Sequence, residues 1–383
     1  MKSIDRNVVL LGWVSFFTDM ASAMVTPVLP IFVVSVLHAG MDKLGVIVAL
    51  ATFVSYALRL FSGWISDRYG IVKPLVVSGY ALSAVSKPLL GIAGSWGSVA
   101  VLRALERLGK GLRSAPKDLM IAAYGKAKKE GRTFGFHKTM DIAGELTGTL
   151  LLFGVLAVFG SGETVIRTLF LATAVPGVAG LLIVLFFVRD VPKAPERTAR
   201  FSLSLRDRKT LFSLLPYLFF LFFMFNDAFF TMEAKSVGMA TTVIPLLFVV
   251  STGVQTLTSY LLGVGVDRFG GGRVMAAGYF AGIAAQGLLW LQRDWATWTA
   301  YAFLGLFTVA TLNANRAMIA ARADNRGSVY GAFYAGMALF GAAGAAVGGW
   351  VWEGLGMTAA LDFALAGTSG VVLLSILMKV VKK

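Results

Sequence analysis

Three long stretches without a single charged residue constrain the fold of this chain more than any other feature. They occupy residues 168–188, 274–292 and 295–315, and a helix of about 20 residues crosses the roughly 30 Å hydrocarbon core of a bilayer. The whole chain is 57% hydrophobic and only 14% charged. A large soluble protein would need far more polar covering surface than this composition supplies. The sequence therefore predicts a membrane protein.

Apolar segments continue along the whole chain and predict an all-α membrane protein with twelve transmembrane helices. The predicted spans are 8–37, 43–65, 74–94, 97–117, 134–159, 164–188, 210–234, 238–264, 273–292, 295–320, 327–351 and 356–379. The first span is long, contains Asp19 and is followed by eleven others, which is not typical of a cleaved signal peptide. We expect it to remain in the mature protein.

The distribution of positive charge predicts the orientation. Of the 35 Lys and Arg residues, 23 fall in segments that are inside if the N-terminus is inside, and four fall in the outer segments. Positive residues concentrate on the cytoplasmic side, so both termini are expected to be cytoplasmic in an inner (cytoplasmic) membrane. The net charge of +15 then reflects topology and attraction to anionic lipids, and it is poor support for nucleic-acid binding.

The chain is expected to consist of two related halves. A basic, proline-containing segment follows the sixth span and divides the chain into an N-terminal six-helix bundle at 1–189, a cytoplasmic linker at 190–209 and a C-terminal six-helix bundle at 210–383. FFTD at 16–19 is similar to MFND at 224–227, GWISDRYG at 63–70 to GVGVDRFG at 263–270, and LMIAA at 119–123 to AMIAA at 317–321. One six-span unit therefore occurs twice in the same orientation.

Two motifs in the first half resemble those of the major facilitator superfamily. GWISDRYGIVKP at 63–74 resembles its loop signature between the second and third spans, and RLGKG at 107–111 resembles its fourth-span pattern, with Lys110 where glutamine is usual. The segments FTDMAS, GKGLRSAPKD and FGFHKTMD resemble a prokaryotic group of poorly defined substrate. The resemblance implies two bundles rocking about a substrate site near mid-membrane, an arrangement that repeat interfaces also favour.

The resemblance assigns a gating role to residues of the short cytoplasmic loops. In this family such residues latch the cytoplasmic side closed through charge pairs and helix-end contacts. The candidates here are Gly63, Asp67, Arg68, Gly70, Asp267 and Arg268, with Arg113 and Arg316 expected at the cytoplasmic side. Gly70 also suits a tight turn.

Charged residues inside the fourth span are candidate substrate contacts, because a charge at membrane depth usually faces a cavity or a partner. Arg103, Glu106, Arg107 and Lys110 recur at helical spacing and form one stripe. Glu106 is expected to pair with Lys110. From about residue 113 to residue 118 the basic side chains are expected to snorkel to the cytoplasmic interface. The deeper residues either bind an anionic solute or gate, or they form structural ion pairs with the fifth span.

Carboxylates at equivalent places in the two halves are candidate coupling residues. Asp19 lies in the first span, and Asn226 and Asp227 lie at the corresponding place in the seventh. Burial makes protonation of a carboxylate possible near neutral pH, which would link protons to transport. Helix-to-helix hydrogen bonding and direct cation binding are the alternatives.

The fifth span places His137, Asp141 and Glu145 on one face, with Lys138 beside them. Pairing of Asp141 and Glu145 with Arg103 and Arg107 is the favoured interpretation, and metal binding is the alternative. Gly144 and Gly148 fit close packing of two helices. The region resembles the glycine-rich antiporter pattern of the superfamily, with Thr149 in place of its usual proline.

The sequence favours a secondary active transporter, proton-coupled and exporting a small anionic or zwitterionic solute by alternating access. The alternatives are an uptake permease, an exporter of a cation, metal or amphiphilic drug, and a membrane sensor that does not transport. No motif of a hydrolase or an ATP-driven pump occurs, so no enzymatic activity and no cofactor are expected. The expected partners are a small-molecule substrate, protons and membrane lipids, with the chain acting as a monomer.

Overall fold

The computed structural model describes residues 4–124, 130–191 and 202–381. Over these residues the chain forms helices and no strand. The α-helices are α1 (Arg6–Ala23), α2 (Leu29–Ile31), α3 (Met41–Tyr69), α4 (Lys73–Leu89), α5 (Trp96–Tyr124), α6 (Glu130–Phe159), α7 (Glu163–Ala172), α8 (Ala174–Leu182), α9 (Leu205–Phe223), α10 (Asp227–Ser236), α11 (Ile244–Phe269), α12 (Gly271–Trp290), α13 (Asp294–Arg322) and α14 (Arg326–Val381). A short π-helical turn follows α2 and another follows α8, and a short 3₁₀ turn follows α4.

The helices agree with the predicted spans. In the described part of the chain, eight helical segments are long and apolar enough to cross a membrane by length and composition. The last of them contains two predicted spans, because α14 is interrupted at Gly356, whose φ of 88° lies outside the helical region. The charged helix α5 is not among the eight. The predicted all-α, twelve-span fold class is confirmed.

Three spans that were predicted as continuous helices are broken, and the sixth is divided at Thr173 between α7 and α8. In the first span α1 ends at Ala23, and Pro27 and Pro30 follow; proline has no N–H to continue the helical hydrogen bonds. In the seventh span the break lies between α9 and α10. The side-chain oxygen of Asn226 accepts hydrogen bonds from the N–H groups of Ala228 (2.9 Å) and Phe229 (3.3 Å) and so begins a new helix.

The chain divides into two compact units. Unit 1 is Met1–His38 with Leu50–Ala199, and unit 2 is Ala39–Ala49 with Arg200–Lys383. The first residues of α3 therefore belong to unit 2, where Gly45 contacts the backbone of Gly349 on α14. Half of the predicted linker at 190–209, residues 192–201, lies outside the described residues.

Each unit has its own apolar core. In unit 1, side chains of α1, α4 and α5 such as Leu11, Val76 and Met120 are fully buried together. In unit 2, aromatic rings stack, among them Phe225 and Phe229 on Trp352. Other large apolar side chains are exposed. An apolar surface of this extent is stable in lipid and would aggregate in water.

Candidate functional site

Unit 1 contains a network of ionisable and polar side chains from α1, α4, α5 and α6, which we call the polar cluster. Its members are connected by hydrogen bonds, ion pairs or electrostatic interactions. They are Ser15, Asp19, Tyr80, Ser83, Lys87, Arg103, Glu106, Arg107, Lys110, Arg113, Lys117, His137 and Asp141.

A buried ion pair on α5 forms part of the polar cluster. Arg103 Nη1 donates to Glu106 Oε2 at 2.6 Å, and the Arg107 Nε lies 3.7 Å from the same oxygen. The Glu106 side chain is 2% exposed. The predicted Glu106–Lys110 pair was wrong, because the arginine one turn before Glu106 reaches its carboxylate. Among the described residues, Lys110 has no carboxylate oxygen within 4.0 Å.

Arg113 is buried within unit 1, and the prediction that it snorkels to the interface was wrong. Its Nη1 donates to Ser83 Oγ at 2.6 Å and to the carbonyl oxygen of Gly79 at 3.3 Å. Its guanidinium group also lies 4.5 Å from the centre of the Tyr80 ring. One glycine of each helix lets α4 and α5 approach closely enough for these contacts, because Gly79 on α4 and Gly109 on α5 leave no side chain between the helices.

Hydrogen bonds join α5 to α1 and α1 to α6, and a contact between His137 and Asp141 follows along α6. Lys117 Nζ donates to Ser15 Oγ at 3.2 Å, Ser15 Oγ lies 3.0 Å from His137 Nε2, and His137 Nδ1 lies 3.3 Å from Asp141 Oδ1. The predicted pairing of Asp141 with Arg103 was therefore wrong: Asp141 pairs along its own helix with His137. No group of His, Asp and Glu side chains in the described part of the chain could hold a metal ion.

Asp19 interacts electrostatically with several lysines. Its carboxylate is partly exposed and interacts electrostatically with the ammonium groups of Lys87, Lys110 and Lys117. Lys87 is 1% exposed, and its Nζ donates to the carbonyl oxygen of Thr18 at 3.0 Å. Asp19 is therefore the carboxylate of α1 that balances the lysines of α4 and α5.

The backbones of α1 and α6 hold the polar cluster in place by direct contact. A Cβ atom added at Gly144 would overlap the carbonyl oxygen of Phe16, and one added at Gly148 would overlap that of Met20. The predicted close packing at these glycines is confirmed. Of the remaining α6 candidates, Lys138 is exposed and Glu145 is partly buried.

Unit 2 differs from unit 1 at the corresponding positions. The LMIAA and AMIAA segments are 198 residues apart, which places Tyr301, Leu304, Gly305, Thr308, Thr311 and Asn315 of α13 where α5 has its charged residues. Asn226 acts as a helix cap, and Asp227 is exposed at the start of α10. The two candidates of the seventh span are therefore placed differently from Asp19, which lies inside a continuous helix.

Two gating candidates line one pocket of unit 2. Asp267 and Arg316 line an open pocket of about 460 Å³, together with Asn313 and Ser259. Arg268 lies 5.4 Å from the ring centre of Phe269, and in unit 1 Arg68 lies 5.6 Å from that of Tyr69. The glycines that end these helices, Gly70 and Gly270, have φ of 63° and 84°, which confirms the tight turn. The surroundings of Gly63 and the side chain of Asp67 lie outside the described part of the chain.

Glu233, a fully buried carboxyl group of unit 2, was not among the candidates predicted from the sequence. Its residue is 0% exposed, and its Oε2 accepts a hydrogen bond from the Thr297 hydroxyl at 3.3 Å. Glu233 lies near the end of a predicted span, where charged residues ordinarily reach water. The sequence contains one signal that Glu233 is not paired along its own helix. The nearest basic residue, Lys235, is two positions away and so lies on another face.

Sequence and structure comparisons with known proteins all match this chain to membrane transporters. A sequence model described as the Major Facilitator Superfamily matches residues 11–234. An uncharacterised MFS-type transporter of Methanocaldococcus jannaschii is 30% identical over 98% of this chain and 96% of its own length. The multidrug resistance protein MdtH of Escherichia coli is 28% identical over 39% of this chain and 34% of its own. A mutant of the nucleoside transporter NupG has a similar fold, with a TM-score of 0.81 and 14% identity over 99% of this chain and 100% of that one.

Proposed function

The chain belongs to the major facilitator superfamily of membrane transporters, and on that basis we propose that it exports a small zwitterionic solute in exchange for protons, with uptake of an anionic solute as the alternative. Transport by alternating access needs a site that binds the solute and a group that links it to the driving ion. The polar cluster of unit 1 supplies candidates for both. The observation that supports the proposal most strongly is its excess of positive charge.

Cations outnumber carboxylates in the polar cluster. The cations are Lys87, Arg103, Arg107, Lys110, Arg113 and Lys117, and the carboxylates are Asp19, Glu106 and Asp141. Counting Glu145 of the same helix face as well, six positive groups face four negative ones. Charges at membrane depth need compensation, so the excess favours a solute that brings a negative group.

Lys110 is the cation best placed to receive that group. Arg103 and Arg107 already share the Glu106 carboxylate, and Arg113 donates to Ser83. Lys110 is partly exposed and, among the described residues, has no ion pair of its own. An ammonium group offers three donors to a carboxylate or phosphate oxygen.

Because Asp19 lies among the lysines, the charge of the solute decides whether the solute and the proton move in opposite directions or in the same direction. A zwitterion can place its negative group on Lys110 and its positive group on Asp19, where it replaces a proton. Competition of solute and proton for one carboxylate produces exchange, which is export when the proton gradient is directed inward. A purely anionic solute would instead bind better once Asp19 is protonated, because Asp19 no longer competes for Lys110. That linkage would produce uptake, so Asp19 also supports uptake of an anion as the second candidate function.

We further propose that the chain works as a monomer in the cytoplasmic membrane with both termini inside, as its charge distribution indicates. Basic residues near the membrane surface would contact anionic lipid headgroups. The activity would be transport without chemical change of the solute, without a cofactor and without nucleic acid.

A thermal-shift screen of the purified protein tests the solute class. A solute that binds the native state at a hundred times its dissociation constant adds about 2.7 kcal/mol of stability. We expect zwitterionic metabolites to stabilise the protein and Lys110→Gln and Asp19→Asn each to weaken their binding at least about tenfold, since a hydrogen bond to a charged group contributes about 1.5–3 kcal/mol. Lys138→Gln, a charge change of the same kind at an exposed position of α6, is the control.

The same screen separates the competing functions. Stabilisation by simple anions that survives Asp19→Asn and is lost in Lys110→Gln would favour uptake of an anion. Stabilisation by lipophilic cations or metal ions that depends on Asp19 and not on Lys110 would contradict the proposal and favour a cation exporter. Ligand binding without flux in proteoliposomes would favour a sensor.

A further inference from the structure

We infer that Glu233 is a second proton-binding site, located in unit 2 and separate from the polar cluster, so that each transport cycle exchanges more than one proton for a solute. This inference rests on the proposed proton-coupled exchange. The geometry that supports it is the burial of a carboxyl group with almost no hydrogen bonding. The residue has no exposed surface, Oε2 accepts from Thr297, and Oε1 has no hydrogen-bond partner.

An ionised Glu233 would lack compensation. Among the residues that the structure describes, no lysine, arginine or histidine nitrogen lies within 4.0 Å of this carboxylate. An isolated buried carboxylate is strongly unfavourable, and such a group binds a proton instead. Glu106 in unit 1 is equally buried but differs in having two arginines. Glu233 is therefore a neutral acid in this conformation.

The groups around Glu233 do not offer a positive charge. On α13, Asp294 acts on it electrostatically, and Tyr301 shares a hydrogen bond with Thr231 at 3.3 Å. On α10 itself, Lys235 donates to Thr241 and not to Glu233. The first sixteen residues of α11, 244–259, contain no ionisable side chain. On α14, the Glu353 carboxylate accepts the N–H of Met41.

The helix that carries Glu233 is a separate short element. α10 contains ten residues, begins after the break at Asn226, and is followed by Gly238 with a φ of 99°. Interruptions on both sides allow a short helix to shift against α13 without disturbing α9. Separation of Glu233 from Thr297 would admit water, favour the charged form and release the proton. The charge distribution assigns this end of the seventh span to the outside, where protons would enter during export.

Infrared difference spectroscopy tests protonation directly. We expect the wild-type protein at neutral pH to show the carbonyl stretch of a buried carboxylic acid, and Glu233→Gln to lose it. Thr297→Val should shift this band without removing it, because the carboxyl group stays buried and only its hydrogen bond is lost. Glu163→Gln is the matched control, since Glu163 is exposed and paired with Arg167. Absence of the band in the wild type would overturn the inference.

The proton-to-solute ratio in proteoliposomes tests the coupling. Glu233→Gln resembles the protonated acid in shape and charge, so we expect it to fold, to exchange solute for solute, and to carry one proton fewer per cycle. At a pH gradient of about one unit the solute gradient should fall about tenfold, because one proton is then worth about 1.4 kcal/mol. An unchanged ratio together with loss of the band would show a structural acid and overturn the inference. Loss of proton coupling only in Asp19→Asn, with the Glu233 band present, would support the proposed exchange and also overturn the second site.

Discussion

Replacing Glu106 by alanine should lower the free energy of unfolding by about 3–5 kcal/mol, because removing one partner of a buried ion pair leaves the other charge uncompensated. In this protein two guanidinium groups would lose their carboxylate, and the Arg103 side chain is only 8% exposed. Denaturation of the detergent-solubilised protein measures the loss. Much of the expressed variant is expected to fail to insert or to aggregate.

The double variant Arg103→Met with Glu106→Met is the informative comparison. Apolar residues of similar volume can replace a buried ion pair at little loss of stability, so we expect the double variant to recover part of what Glu106→Ala loses. Glu163→Ala, which breaks an exposed pair with Arg167, should change stability by no more than about 1 kcal/mol. Equal losses in the Glu106 and Glu163 variants would contradict the structural role of the α5 ion pair.

Gly144→Leu should prevent unit 1 from folding in its present form. Even the Cβ of alanine would overlap the carbonyl oxygen of Phe16, and inserting atoms into a filled contact costs about 1–3 kcal/mol and sometimes more. We expect Gly144→Ala to lower the melting temperature clearly and Gly144→Leu to abolish a cooperative transition. Gly344 in unit 2, where a Cβ would overlap the carbonyl oxygen of Phe222, should behave in the same way.

Each of these glycines has a control on its own helix. A Cβ added at Gly154 on α6 or at Gly354 on α14 would meet no other atom of the described residues within 4 Å, so alanine there should be neutral or slightly stabilising. If Gly154→Ala and Gly144→Ala had equal effects, helix propensity and not the contact with α1 would explain both.

Long apolar segments made the helices predictable, because crossing a bilayer imposes a length and excludes charge. The breaks at Pro27 and Asn226 were harder to predict. Proline also occurs inside α5 at Pro116 and inside α9 at Pro216, so its presence alone does not say where a span is interrupted. The Asn226 cap depends on a local backbone conformation that periodicity does not describe.

The sequence predicted which residues of α5 lie together in the candidate site, but it did not predict which of them pair with each other. Helical spacing correctly placed Arg103, Glu106, Arg107 and Lys110 on one stripe of α5. The same spacing allows Glu106 to pair either with the arginine three residues before it or with the lysine four residues after it. Only the side-chain geometry shows that the arginine is the partner. Arg113 was assigned to the interface because basic residues near span ends usually reach it. Glu233 was overlooked for the same reason.

The unequal distribution of charge between the two halves has an evolutionary consequence. All the buried lysines and arginines of the described residues, Lys87, Arg103 and Arg113, lie in unit 1, whereas the matching stretch of α13 is uncharged. Two copies of the first half would double the number of buried basic residues, and two copies of the second would contain none among the described residues. Because the halves have diverged in this way, neither can replace the other without losing the polar cluster or doubling it.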